Sequence, residues 1–373
     1  MNGRERLFAV LNGEPTDHTP IWLLFPYHPT GYYADVRSLP VYQPIFEASK
    51  KRAIMLNRRN PKVTVFDPEV KEWDETGIED GFQVNRHFLE YKGRQLWSEN
   101  RQEWGATKVK KLLSNPADLE FYASLPVNLD KERIELELDD QMPAYRREMD
   151  EFPIEYGAMM LDIGEPVGHL YHASQLEEYS IWSLTHSDLV VDLLDRFQQQ
   201  KRIFYRYCLE RNLADVYFLV GSELASPPLV SRQTFLKWIV PYATELIERV
   251  HSYDKKVIQH YHGQIKRILP DFLTMQPDAL HTIEAPPIGD CTFTEAYHVV
   301  GDRIVLIGNI QYDEFRRFTP AEMRAEVRAV LAECQGKRLI LSPSAGPYEE
   351  ELSPRQVENY LAFLEAGWGE DDH

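Results

Sequence analysis

Several features that mark other classes of protein are missing from this sequence. No stretch approaches the roughly 18 consecutive apolar residues of a membrane-spanning helix, and the first residues lack the apolar run of a secretion signal. The three cysteines, Cys208, Cys291 and Cys334, are an odd number without metal or redox spacing. We therefore expect a cytoplasmic protein with neither a disulfide framework nor a membrane segment.

Positive charge is also scarce. The 41 lysines and arginines are outnumbered by 59 aspartates and glutamates, which gives a formal net charge of −18. Such a surface repels a polyphosphate backbone, so nucleic acid is not an expected partner. The chain does have 373 residues, of which 43% are hydrophobic. A chain of this size and composition can bury a large core without disulfides or metals.

Short apolar runs alternate with longer segments of helical periodicity over the last two thirds of the chain. Each run is short enough for a buried strand, and each longer segment suits an amphipathic helix. The predicted strands are 216–220, 257–259, 280–283, 304–307 and 339–341, and the predicted helices are 187–211, 231–253 and 320–335. This alternation favours a parallel sheet covered by helices. Thr319-Pro320 and Ser353-Pro354 each predict a capped helix start.

Residues 62–151 follow a different pattern. They are rich in charged and aromatic residues and show only weak periodicity, as in an insertion or extra layer over a barrel mouth. No internal repeat interrupts the chain. We predict one domain, residues 1–373, with residues 62–151 as an elaborated insertion.

Polar side chains follow the predicted strands at the edge where a parallel barrel places its catalytic groups. Asp162 follows the apolar run 159–161, and Glu223 follows 218–220. His260 and His262 follow 257–259, and Glu284 follows 280–283. The sequence therefore predicts that these five side chains meet at the barrel mouth.

The His260-x-His262 pair has two competing interpretations. Residues two apart on an extended strand end face the same side, so both imidazoles can bind one ion. With Glu223 and Glu284 they would form a four-ligand divalent metal site. Alternatively, they are polar loop residues with ordinary hydrogen-bond partners.

Five further residues carry open alternatives. Asp162 is either a general acid or base or the cap of the next turn. His169 and His172, three apart, either face one cavity or have structural roles. Asn309 and Ser344 follow strands 304–307 and 339–341, and each either contacts substrate or holds its own loop.

Aromatic residues cluster near the start of the chain. Such a cluster either lines a pocket for a flat or apolar substrate or belongs to the core or an interface. The residues concerned are Trp22, Phe25, Tyr27, Tyr32 and Tyr33, and His28 lies in the same segment.

The order of several motifs resembles the uroporphyrinogen decarboxylase-like superfamily. They are Arg4-Glu5-Arg6-x-x-Ala9-x-Leu11-x-Gly13-Glu14-Pro15-x-Asp17-x-x-Pro20, His260-x-His262-Gly263, Gly308-Asn309-Ile310, Thr319-Pro320-Ala321-Glu322 and Glu358-Asn359-Tyr360. The resemblance implies a (β/α)8 TIM-type barrel. It also implies either the heme-pathway decarboxylase activity or a cobalamin-linked methyl transfer.

Two departures separate these branches. The decarboxylase carries substrate-binding arginines after the opening proline, but residues 22–28 here contain none, although a substrate with eight carboxylates needs matching cations. The methyltransferase branch binds zinc through His-x-Cys-Gly and a later cysteine. His262 occupies the first cysteine position, and Ser342, Ser344 and Ala345 lie where the second is expected.

The resemblance therefore favours the methyltransferase branch with a site richer in nitrogen and oxygen. We expect transfer of a methyl group between a small O- or N-methyl donor and a corrinoid (cobalamin) on a partner protein. Zinc or another divalent ion held by Glu223, His260, His262 and Glu284 would assist, or else His260 and His262 would act as acid and base.

The resemblance also bears on substrate binding, assembly and alternatives. The predicted substrate-binding residues are Trp22, Tyr27, His28, His169, Asn309 and Ser344, and a homodimer is expected. One alternative is a decarboxylating lyase that takes its carboxylate-binding arginines from Arg86, Arg101 or Arg232. Another is a non-catalytic protein that binds a corrinoid or tetrapyrrole.

Overall fold

A computed structural model describes residues 1–103 and 106–369 of the protein. The strands, in chain order, are β1 (Met55–Arg59), β2 (Lys71–Glu79), β3 (Phe82–Tyr91), β4 (Arg94–Glu103), β5 (Ala106–Lys110), β6 (Gly157–Leu161), β7 (Val216–Leu219), β8 (Lys256–His260), β9 (Ala279–His281), β10 (Val305–Ile310) and β11 (Leu339–Pro343). They form two sheets, one parallel and one antiparallel.

The helices surround the parallel sheet and fill the connections between its strands. In chain order they are α1 (Gly3–Asn12), α2 (Gln43–Arg52), α3 (Pro116–Ser124), α4 (Lys131–Asp139), α5 (Met142–Glu151), α6 (Val167–Ala173), α7 (Leu176–Thr185), α8 (Ser187–Glu210), α9 (Arg232–Trp238), α10 (Val240–His251), α11 (Leu269–Met275), α12 (Phe293–Val300), α13 (Glu314–Arg317), α14 (Pro320–Glu333) and α15 (Pro354–Trp368). Short 3-10 turns lie at Pro40–Tyr42, Ile154–Tyr156, Ser222–Ala225 and Gly301–Arg303.

The parallel sheet curls into a barrel. Its strand order is β1-β6-β7-β8-β9-β10-β11. A two-residue segment joins its edges, because Ile21 bridges Leu341 of β11 and Trp22 bridges Ile54 beside β1, both in parallel. Hydrogen bonds of 2.8 Å from the Trp22 N–H to the Leu341 carbonyl and 2.7 Å from the Ile54 N–H to the Ile21 carbonyl complete these contacts. The predicted TIM-type fold is confirmed.

The barrel strands are largely buried, and only β1, β8 and β10 contain half-buried residues. Every residue of β6, β7 and β11 is buried, as expected for parallel strands covered by helices on the outside and by side chains within. The predicted strands in the last two thirds of the chain therefore coincide with real ones.

The predicted helix starts are also confirmed. Thr319 and Ser353 are the N-caps of α14 and α15, and each forms a capping box with the residue three positions on, Glu322 or Gln356. The single helix predicted over 231–253 is wrong, because the segment forms α9 and α10 with a break at Ile239. Pro241 explains the break, since proline has no N–H to donate and fits only the first turn of a helix.

Residues 71–103 and 106–110 contain the strands of the antiparallel sheet, in the order β2-β3-β4-β5. Its first two turns are two-residue hairpins, with Asp80 and Gly81 in one and Lys92 and Gly93 in the other. All four have positive φ, which this tight hairpin turn requires. Most residues of β2 are exposed, so the sheet lacks the alternation of apolar and polar residues that marks a half-buried strand.

The helices of the described chain include none that combines the length and apolar composition of a membrane span.

Candidate active site

The polar residues predicted at the strand ends do lie at one end of the barrel. Asp162 directly follows β6, and Glu223 lies in the 3-10 turn after β7. His260 ends β8, His262 follows two residues later, and Glu284 lies three residues beyond β9. Because β6, β7, β8 and β9 are successive neighbours in the sheet, their carboxyl ends place these side chains in adjacent positions.

Three imidazole rings form the centre of the site. His260 and His281 stack with ring centroids 4.9 Å apart, and their Nδ1 atoms are 2.7 Å apart. His262 meets His260 edge to face, with centroids 4.6 Å apart. One Nδ1 of the stacked pair must donate a proton and the other accept it, so neither ring is free to turn.

The stacked histidines are uncharged at neutral pH. Burial lowers the pKa of His281 to about 3, and the charges of His262 and Arg58 add to this effect. Burial also lowers the pKa of His260 well below its usual value, again with neighbouring cations contributing. These two rings therefore add no positive charge beside His262.

His262 has the opposite tendency. Its Nδ1 lies 3.4 Å from Oε2 of Glu284, and its side chain is 43% exposed. Burial acts to lower its pKa, but the contact with Glu284 and the negative charges of Glu284 and Glu223 outweigh that effect and raise it. Glu284 is held in place because its Oε2 also accepts a 2.7 Å hydrogen bond from the Gly263 N–H. The site thus contains one histidine with a raised pKa beside two with a lowered pKa.

Glu223 adds a second acidic group, whose negative charge acts on His262. Its Oε2 accepts a 2.8 Å hydrogen bond from the Gly221 N–H. Burial raises its pKa, while the backbone N–H groups and His262 oppose the rise.

A buried ion pair between Arg58 and Asp162 borders the histidines. The Arg58 Nε donates to Asp162 Oδ2 at 3.1 Å, and Nη2 makes a second bond to the same oxygen. The two side chains are only 12% and 7% exposed. Tyr32 and Phe218 lie against the guanidinium, with ring centroids 5.3 and 5.0 Å from its central carbon. The structure therefore shows Asp162 in an ion pair with Arg58 and not as the cap of the next turn.

The predicted metal ligands do not converge on one point. No group of three or more His, Cys, Asp or Glu side chains within residues 1–103 and 106–369 is arranged to hold a metal ion. The Nδ1 atoms of His260 and His281 are turned toward each other, and that of His262 toward Glu284. The nitrogen and oxygen donors as arranged do not fit a preformed zinc site.

The cysteines do not supply the missing thiolates. Cys208, Cys291 and Cys334 are free and buried, in α8, before α12 and after α14. Burial raises the pKa of Cys291 and Cys334 to about 12, so neither is ionised at neutral pH.

The N-terminal aromatic residues divide between the site and the core. Trp22 is buried, with its ring 5.4 Å from that of His281 and 6.0 Å from that of Phe218. Tyr27 packs instead on Phe152, and the Arg37 guanidinium stacks on its ring. Trp22 therefore forms an apolar wall of the site, whereas Tyr27 belongs to a packed aromatic cluster.

The remaining predicted substrate-binding residues lie on separate elements of the fold. His28 is buried, with its N–H donating to Asn57 Oδ1 at 2.9 Å. Ser344 accepts a 3.2 Å hydrogen bond from the Tyr312 N–H, which holds the loop after β11. Asn309 lies within β10 in register with Ser342 of β11. His169 lies on α6, at the wall of a cavity beside the site.

Two residues of the site, His281 and Arg58, were not predicted. His281 lies inside an apolar run, and Arg58 lies in a strand that the apolar pattern of the sequence does not mark. The usable signal for His281 was its place in the predicted strand that follows the strand ending at His260. In the structure the two residues are paired in register.

The sequence from residue 169 to residue 366 matches the uroporphyrinogen decarboxylase (URO-D) family, and this region is more than half of the chain. The chain belongs to this family. The predicted superfamily is thus confirmed, together with its TIM-type barrel. Among curated protein sequences there is no match.

One solved structure supports the same fold. A methyltransferase from Methanosarcina mazei superposes with a TM-score of 0.59 and 18% identity over 98% of each chain. At that identity the likeness shows the shared fold alone. A B12-independent methionine synthase from Shewanella sp. W3-18-1, in complex with selenomethionine, has a TM-score of 0.40 and 12% identity over 61% of this chain and 65% of the other. This second similarity is too weak to support any conclusion about the present protein.

Proposed function

We propose that this protein is a methyltransferase that moves a methyl group from the oxygen or nitrogen of a small donor to a corrinoid carried by a partner protein. The observation that carries the proposal is the His262–Glu284 pair, which keeps a proton-bearing imidazole partly exposed at the barrel mouth. When the bond to the methyl group breaks, the oxygen or nitrogen of the donor needs a proton. A histidine with a raised pKa can supply it.

The proposed reaction uses His262 as a general acid. The bond between the methyl carbon and the donor heteroatom breaks, and its electron pair stays on the heteroatom. The proton of His262 neutralises the charge that develops there, and Glu284 stabilises the imidazolium before transfer. A reduced corrinoid, when bound, supplies the nucleophile that receives the methyl group.

The surrounding rings suit a methylated, weakly polar group. His260, His281, Trp22 and Phe218 pack on one another through ring contacts of 4.9 to 6.3 Å. Because the two histidines are neutral, the wall they form is uncharged. Such a wall excludes water from the methyl carbon and directs the proton to the heteroatom instead.

The distribution of arginines disfavours the decarboxylase alternative. Arg86, Arg101 and Arg232, the candidates for binding substrate carboxylates, each pair with acidic side chains of the protein. Arg58 at the mouth is paired with Asp162. A substrate with many carboxylates would require free cations that these arginines do not provide.

The proposal is tested with purified protein, cobalamin reduced to the cobalt(I) state, and a panel of O-methyl and N-methyl donors. Methyl transfer is followed by the cobalamin absorbance and by mass spectrometry of the demethylated donor. We expect turnover by the wild type, and a loss of about a hundredfold or more in His262→Gln, since general acids contribute about 10²–10⁴-fold. His298→Gln, which changes an exposed histidine on α12, serves as the matched control. Release of carbon dioxide from a porphyrinogen, with no methyl transfer from any donor, would instead establish the lyase.

A further inference from the structure

A cavity of about 660 Å³ lies between the barrel mouth and the antiparallel sheet. On the barrel side it is lined by residues that follow β6 and β7, among them Asp162, Gly164 and Glu223. On the other side Leu89, on β3, and Ser98, on β4, face it. Since Asp162 and Glu223 border both this cavity and the histidines, a ligand in it would adjoin the site described above.

Much of the cavity wall is apolar and shaped by rings and branched side chains. Val63, Val65, Phe66, Leu112 and Phe204 contribute to it. A pocket of this size with apolar walls suits a flat ligand the size of a substituted benzene ring, with room for solvent.

The same cavity gathers cations that lack acidic partners. Lys62 and Lys111 both line it, and neither has a carboxylate oxygen within 4.0 Å among the residues that the structure describes. The charge of Lys111 acts on His172, which also lines the cavity. These two lysines thus bring positive charge to one cavity of a chain whose net charge is −18.

Two more cationic or proton-donating groups lie deeper in the wall. Lys201 is buried, and its Nζ donates to the Ile163 carbonyl. Burial lowers its pKa to about 8, with Asp162 and Glu165 opposing the fall, so it remains largely charged at pH 7. His169 is uncharged, because burial and the charge of Lys201 lower its pKa to about 3. A neutral imidazole can still donate one hydrogen bond to an anion.

The acidic groups of the cavity already have partners within the protein. Asp162 pairs with Arg58, and Glu223 accepts the Gly221 N–H. Glu72 lies 3.4 Å from Nε2 of His87. These three carboxylates are thus directed to groups of the protein, whereas Lys62 and Lys111 line the cavity without an acidic partner among the described residues.

From this arrangement we infer that the cavity binds a small, flat carboxylate, with the anionic group at Lys62 and Lys111 and the apolar body between the sheet and the barrel. The inference rests on the proposed function and gives the methyl donor its chemical class: an aromatic acid with an O-methyl or N-methyl substituent. The antiparallel sheet, which the barrel does not need for closure, then forms one wall of the donor site.

Binding is measured by isothermal titration calorimetry on the full chain without a corrinoid, using 4-methoxybenzoate and its uncharged analogue 4-methoxybenzamide. The charge test is the double variant Lys62→Gln with Lys111→Gln. Lys108→Gln with Lys131→Gln is its matched control, because both of these lysines are exposed, pair with glutamates and lie outside the cavity. Gly168→Leu is a steric test, since a side chain at this cavity-lining position meets open space.

We expect the wild type and the matched control to bind the acid at least about tenfold more tightly than the amide, as a charge-assisted hydrogen bond would provide. The cavity double variant should lose this preference, and Gly168→Leu should bind both ligands at least about tenfold more weakly. Equal affinity for acid and amide, an equal loss in both double variants, or no binding of either ligand overturns the inference. Binding without methyl transfer would contradict the proposed function and leave the cavity assignment in place. Methyl transfer without selective binding of the acid would support the proposed function and overturn the cavity assignment.

Discussion

Glu284 controls the protonation of His262, so its effect should appear in a pH profile. Because the pKa of His262 is raised, wild-type kcat/KM for methyl transfer should stay at its maximum to a pH above 6.5. It should fall as the pH rises through the raised pKa. Glu284→Gln removes the charge that outweighs burial but keeps an oxygen for the Gly263 N–H. The alkaline limb should therefore move to lower pH.

Glu248→Gln supplies the control, because this exposed glutamate lies on α10 away from the site. It should leave the alkaline limb where the wild type has it. An unchanged limb in Glu284→Gln would show that the proton in the reaction does not belong to His262.

The Arg58–Asp162 pair provides a prediction about stability. Asp162→Asn leaves the guanidinium of Arg58, only 12% exposed, without its counter-charge. Breaking a buried pair from one side should lower the free energy of unfolding by about 3 kcal/mol, measured by chemical denaturation. Glu90→Gln breaks the exposed pair with Lys71 and should change the stability little. Similar losses in both variants would indicate that burial does not matter here.

Individual site residues were only partly predictable. Four site residues could be predicted because each follows an apolar run typical of a barrel strand: Glu223, His260, His262 and Glu284. The pairing of Asp162 with Arg58 depends on the register between β1 and β6, which sequence patterns do not reveal. The opposite protonation of neighbouring histidines likewise depends on burial and on Glu284, so it required three-dimensional contacts.

At the scale of elements, the cap of α14 offers a direct test. Thr319 accepts a hydrogen bond from the Glu322 N–H and donates its own hydroxyl proton to the Glu322 carboxylate. Thr319→Ala should lower the free energy of unfolding by about 1 kcal/mol, while Thr319→Ser keeps the hydroxyl and should remain near the wild type. Equal denaturation midpoints for the two variants would contradict a capping role.

The antiparallel sheet shows where element prediction failed and why. Strands β2 and β5 are largely exposed, and β3 and β4 are mostly half-buried with charged side chains, so their sequence lacks the period of two that identifies a strand. The two hairpin turns, at Asp80-Gly81 and Lys92-Gly93, were the usable signals, since Asp-Gly pairs favour this turn. The expectation of an added layer over the barrel mouth agrees with the cavity that the sheet helps to enclose.

At the scale of the whole molecule, the fold was more predictable than the chemistry. Alternating apolar runs and helices predict a parallel sheet covered by helices, and the family resemblance implies that the sheet closes into a barrel. Closure through Ile21 and Trp22 was not predictable, since two residues are too few to show a period. Family membership leaves the reaction open, because one barrel supports several reactions through its strand-end residues. The homodimer and the divalent ion stay predictions.

The central claim is that the methyl group leaves a small donor and is captured by a corrinoid. The most direct test supplies donors with a deuterated methyl group, 4-(trideuteromethoxy)benzoate among them, together with cobalamin in the cobalt(I) state. The account predicts that mass spectrometry finds the intact trideuteromethyl group on the cobalamin in equal amount to the demethylated donor. Demethylated donor with no label on the cobalamin, or no reaction of any donor while a porphyrinogen loses carbon dioxide, would contradict it.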